Sequence, residues 1–341
     1  MPTEQLNKFV QHNCNIADAK HAANFTLCTY LMKMREFCRW DRGYSMNHII
    51  PKEEIGEWVQ QREALWEDIE QQDYQALVID DQQYDPFATE QINTKLLPQG
   101  LVYSGGLGTH CVPHFFLARL EDQHQYGSHK VIISNDEYAR DLTAPPAMTQ
   151  GDTIFIRKQS IRRMLWEKAQ EWSWHKIENA MSKAFSYYPF AEDVDAALEA
   201  MTDVEMNSIL LHETGEIEAS TLLGSGWKAL LANMDNARVE LMLRTIKDWY
   251  ADTRVTLPHL IESNNSASLH FFAGNLTAMR KELCPSFLPA YKAWCQDGSL
   301  EQFSDWVTRS HSHWQRLSNE CLTGHYDEST QLAAMIEAQR F

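Results

Sequence analysis

The sequence predicts a mainly α-helical protein, a bundle-like helical body with a small antiparallel β insertion over about residues 98–158. Three observations carry this expectation. Apolar residues recur at helical spacing over residues 15–40 and 51–77. Residues 100–158 change to β-rich runs punctuated by glycine, and after Ser160 helical periodicity returns and lasts to about Ala338.

In the first helical stretch, Leu27, Leu31, Met34 and Cys38 mark one face. In the second, Pro51 opens the helix and Glu53 and Glu54 sit at its positive end. "PHFFLARLE" (113–121) and "HKVIISN" (129–135) read as a hairpin, with further strands at 100–108 and 151–158. The expected organisation is a single domain with sub-regions 1–97 (helical), 98–158 (β-rich) and 159–341 (helical), because roughly 95 residues of isolated helix would need a core of their own.

Composition narrows the function. The 341 residues are 44% hydrophobic and 23% charged, as in globular proteins. A net charge of −17 repels a phosphate backbone, so no nucleic-acid partner is expected. The basic run "RKQSIRR" (157–163) reads as a solvated helix start. Seven cysteines without a C-x-x-C point to a reducing compartment. No leader is visible at the start, and the charge-free residues 96–118 are broken by glycine and proline, so no membrane span is expected either. A cytoplasmic location follows as the default.

The chemistry concentrates in "LLHETGEIEAS" (210–220), which begins like the zinc-protease pattern H-E-x-x-H but has Glu216 where the second histidine belongs. With about 100° per residue, Glu205, His212 and Glu216 fall within a narrow sector opposite Asn207, Thr214 and Glu218. Glu213 sits about 100° away from His212. Two carboxylates and an imidazole on an inward face are costly unless paired, protonated or metal-bound. By contrast Glu167, Glu171, His175 and Glu178 lie opposite the apolar residues of their own helix and read as a solvated face.

Two metal readings follow. In the first, His212 and Glu216 hold zinc and Glu213 is the general base. In the second, Glu205 joins His212 in a Glu-x6-His spacing that resembles part of the ligand pattern of haem-oxygenase-like di-iron oxidases. The resemblance covers those two residues; the downstream helix motif has no clean counterpart, and His259, Glu262 and His270 are the nearest partner ligands. Carboxylate-rich mixed sites suit iron or manganese better than zinc.

The expectation is therefore a metal-dependent enzyme, oxidase-like or hydrolytic, with a divalent cation at Glu205, His212 and Glu216 joined by His259, Glu262 or His270. The alternative is a non-catalytic binding or assembly protein that presents residues 113–135, with Phe115, Phe116 and Tyr126, to a protein partner. Cys111 beside His110 and His114 is a weaker nucleophile candidate, read chiefly as part of a tight turn.

Overall fold

The computed structural model describes residues 3–108, 111–175, 178–324, 326 and 328–341. The chain divides into two compact units, residues 1–168 and 169–341.

The N-terminal unit opens with α1 (Glu4–His21), capped by the Thr3 hydroxyl. A short 3-10 turn at Ala22–Asn24 separates it from α2 (Leu27–Asp41), so the single helix expected over 15–40 is two. Then come α3 (Lys52–Ile69), the hairpin β1 (Leu77–Ile79) and β2 (Gln82–Tyr84), and α4 (Thr89–Leu96). The principal sheet contains β3 (Leu101–Leu107), β4 (Pro113–Tyr126), β5 (His129–Arg140), β6 (Ala147–Gln150) and β7 (Thr153–Arg157), in the order β3-β4-β5-β7-β6.

This sheet corrects the expected fold class. The protein is 65% helical, but it carries a five-stranded mixed sheet curled into a half-barrel and a separate two-stranded sheet, not a helical bundle with a small antiparallel insertion. β5 and β7 run parallel, while β6 and β7 pair antiparallel through a turn at Gly151, whose φ is +57°. The curl brings opposite edges together: a Cβ on Gly106 of β3 would meet the Gln150 amide of β6.

Both faces of the sheet are buried. Tyr103, Phe115 and Leu117 pack with Leu6, Val10 and Cys14 of α1. Val102, Phe116, Ala118, Ile132 and Phe155 form a second cluster on the other face. Continuous runs such as "FFLA", "VII" and "IFI" follow from two-sided burial. The hairpin therefore does not offer its phenylalanines to a partner: Phe115 is 0% and Phe116 1% exposed.

The basic run at 157–163 also departs from expectation. α5 (Lys158–His175) begins immediately after β7, so Arg157 still points into the sheet. Its guanidinium lies 4.4 Å over the Phe116 ring, and its Nε donates to Glu137 at 2.9 Å. Glu137 also accepts from the Ser160 hydroxyl, which in turn accepts from Arg163.

The C-terminal unit contains α6 (Ala180–Phe185), α7 (Val194–Ala232), α8 (Ala237–Ala251), α9 (Leu257–Glu262), α10 (Ser266–Asn275), α11 (Ala278–Leu283), α12 (Phe287–Asp297), α13 (Leu300–Thr323) and α14 (Ser329–Ala338). Its core is unusually aromatic. Trp249 stacks on Trp314 with centroids 6.0 Å apart, and Trp306, Phe287 and Phe303 continue the cluster. Each such side chain contributes on the order of 2–3 kcal/mol of burial. His313 is buried among these rings beside Trp314. Among the described residues, no helix is long and apolar enough to cross a membrane.

Candidate functional site

Asp193 caps α7, and the helix runs without interruption past Glu205, His212 and Glu216 before kinking at Gly224. Between those residues lies Gly215, where α7 touches α8. A Cβ on Gly215 would stand 2.7 Å from the Ala251 carbonyl oxygen. The next residue, Asp252, begins a π-helical turn over Asp252–Thr256 that connects α8 to α9. Such turns widen the helix locally and recur at functional sites. Here the turn places Asp252 and Thr256 at the wall of the same cavity as His212.

Asp252 anchors the arrangement. Its Oδ1 receives His212 Nδ1 at 2.8 Å and the Thr256 hydroxyl at 2.8 Å, and its Oδ2 receives Arg280 Nη2 at 2.5 Å. Arg280 in turn lies 4.5 Å over the Trp249 ring and 5.2 Å over Phe272. Burial alone would raise the Asp252 carboxyl, but His212 and Arg280 hold it well below the usual carboxylate range. Burial would likewise push the His212 imidazole down; the Asp252 charge overrides it, and the group is raised to about 10. His212 is thus an imidazolium at neutral pH, with Nδ1 committed to Asp252.

This geometry rests on a missing methyl group. Gly215→Ala gains up to about 1 kcal/mol of helix propensity, but overpacking against a backbone carbonyl costs about 1–3 kcal/mol. The variant is expected to lose net stability and to bring the His212 titration down, read by denaturation and histidine NMR. Unchanged stability and titration would refute the close contact as a determinant of the site.

Glu205 is 0% exposed and sits where α7 faces α10. The Ser268 hydroxyl donates to its Oε1 at 2.9 Å, and its Oε2 has no hydrogen-bond partner. No cation lies within ion-pair distance of it among the described residues. Burial raises this carboxyl to about 7, only partly offset by the hydroxyls of Ser268 and Ser208.

The other expected ligands are dispersed. Glu216 forms an ion pair with Lys247 of α8, while Arg244 of the same helix pairs with Glu240. Asp248, near Glu216, is raised to about 6 by burial and by the Glu216 charge. His270 bonds the Tyr291 hydroxyl at 2.8 Å and stacks on Trp294, and burial with the Lys183 charge lowers it to about 4. His259 and Glu262 are exposed, and Glu213 is half-buried on another sector of α7.

As partnered, these residues do not fit a metal centre. His212 Nδ1 is taken by Asp252, Glu216 is paired with Lys247, and His270 is held by Tyr291. Among the described residues, no group of three or more His, Cys, Asp or Glu could hold a metal ion.

What the residues do enclose is a pocket of about 180 Å³. Ser208, His212, Thr256, Ser268, Asn275 and Arg280 supply its polar groups; Ile209, Leu260, Phe271 and Phe272 supply apolar wall. Asp252, Arg280, Ser268 and Lys247 are the participants that sequence reasoning missed. The accessible signal was "DTRVTLPH", an acid and two threonines just before a proline in an otherwise apolar helical run.

The N-terminal unit has its own buried polar pair, His114 Nδ1 and Asp141 Oδ2 at 3.2 Å. Asp141 Oδ2 also accepts the Phe115 amide and its Oδ1 the Ala144 amide, while Asp18 accepts that of Leu142. These bonds pin the 141–144 loop, where Ala144 has a φ of +42°. Cys111 is exposed, and His110 lies outside the described residues.

No curated protein and no solved structure matches the chain. Two family models do. The N-terminal domain of DUF6866, a family of unknown function, matches residues 5–157, and the C-terminal domain of the same family matches residues 162–340. The chain therefore belongs to the DUF6866 family and carries both of its domains.

Proposed function

We propose that the C-terminal unit binds a small organic anion in the pocket at His212. The observation that supports this reading is the Asp252-locked imidazolium. With Nδ1 engaged, Nε2–H is the donor left for a ligand, and the side chain is still 36% exposed at the pocket wall. Of the nearby acids, Asp252 is shared with Arg280 and Glu216 with Lys247, while Asp248 is raised to about 6. At about 30 Å³ per water, the pocket has room for about six waters, which suits an acid of four to six carbons against Ile209, Phe271 and Phe272. A metal-dependent oxidase or hydrolase, the reading from sequence, has less support because its ligands are taken up by other partners.

A charge-assisted hydrogen bond contributes about 1.5–3 kcal/mol, so His212→Gln is expected to weaken pentanoate binding about 10- to 100-fold. Calorimetry and the His212 NMR shift provide the measurement. Millimolar pentanoate that leaves His212 unmoved, or binds the variant equally well, would sink the proposal.

A further inference from the structure

We propose that the ligand is bifunctional: a short acid whose carboxylate meets His212 and whose far end carries a hydrogen-bond donor that meets Ser268. This inference rests on the anion reading above and adds the second end. Glu205 and His212 are seven residues apart on one face of α7, about 10 Å along the helix. Ser268 and Asn275 are seven apart on α10 and line the same pocket. The pocket thus runs from a Ser268–Glu205 end to a His212–Arg280 end, with apolar wall from Ile209 and Phe271.

The two ends have opposite character. The Ser268 hydrogen is committed to Glu205, so the serine oxygen presents lone pairs to the pocket. Behind it lies a buried carboxylate that has no cation partner among the described residues and whose second oxygen is unbonded. A group that meets the Ser268 oxygen must donate. A hydroxyl would satisfy the serine oxygen, an ammonium would also offset the Glu205 charge, and a second carboxylate would be repelled.

The test is calorimetry on the full chain at pH 8 with pentanoate, 5-hydroxypentanoate, 5-aminopentanoate and glutarate. The hydroxy acid, the amino acid or both are expected to bind at least tenfold tighter than pentanoate, and glutarate weaker. The hydroxy and amino arms separate a plain hydrogen-bond donor from a cation. Ser268→Ala should erase the preference among the monoacids, and Glu205→Gln should reduce the amino acid's advantage selectively. Circular dichroism and tryptophan fluorescence confirm that both variants fold. Equal affinity for the three monoacids overturns the inference while leaving the anion reading intact, as does tighter binding of glutarate. Failure of every acid to bind overturns the anion reading itself.

Discussion

Asp252→Asn is expected to destabilise the C-terminal unit by about 3–5 kcal/mol, the typical consequence of removing one partner from a buried ionic cluster. The substitution keeps the shape of the side chain and removes its charge. His212 and Arg280 then lose the 1% exposed carboxylate that they share. With Asp252 neutral, burial of the imidazole is opposed only by the weaker Glu216 and Asp248 charges, and the His212 pKa should fall well below about 10. The pH dependence follows from the sign. A histidine raised in the folded state contributes stability that is complete below pH 6.5 and is lost as pH rises through about 10. The gap between wild type and variant should therefore narrow toward pH 10. Histidine NMR titration and hydrogen exchange along α7 and α8 read both effects. A variant in which His212 still titrates above pH 8 would mean that Asp252 does not hold the proton there.

Glu205→Gln should act in the opposite direction. The wild-type carboxyl is raised from about 4.5 to about 7. A group raised in the folded state contributes stability that is complete below its unfolded value and lost as pH rises through its folded one. Stability due to Glu205 therefore falls between pH 4.5 and 7 and is flat above. The integrated loss is about 3 kcal/mol as an order of magnitude. Glutamine keeps the partner for Ser268 without an ionisable proton. The variant should be flat over this window and up to about 3 kcal/mol more stable at pH 8, measured by denaturant unfolding at fixed pH values. A steeper pH dependence than wild type, or a loss of stability at pH 8, would contradict a cation-free carboxylate at this position.

Part of this site was legible in the sequence and part was not, for identifiable reasons. Helical projection relies on spacing along one element, so it found that Glu205, His212 and Glu216 share a face, and Glu205 is fully buried. It could not find their partners, because these come from other elements. Asp252 is 40 residues from His212, and Arg280 is 28 from Asp252. What brings them together is the contact at Gly215 and the π-helical turn, neither of which has a periodic signature. The metal expectation arose because the countercharges Lys247 and Arg280 are invisible to a single-helix projection.

The same limit explains the fold class. The β4–β5 hairpin could be read because its strands are neighbours in sequence. The parallel β5–β7 pairing could not, since strand alternation specifies faces and not neighbours. Arg157 was misplaced for a related reason. A charge run suggests solvent, but β7 passes into α5 without a linker and carries the first arginine inside.

The curl of the five-stranded sheet bears on how the chain avoids self-association as it is made. A flat sheet with β3 and β6 at its borders would offer two rows of unpaired amides and carbonyls as templates for another chain. Bending them toward each other, with Gln150 seated over Gly106, covers part of each border against an incoming strand. That protection arrives late in synthesis. β3, β4 and β5 emerge first and can pair locally, whereas the residue that seats against β3 is made more than forty positions after Gly106. During that interval β3 is not bare: Thr89 and Asn93 of α4, made before it, pair with the backbone N–H and C=O of Gly105 and Tyr103, and the glycines at 105 and 106, poor strand formers by themselves, make the strand a weak template.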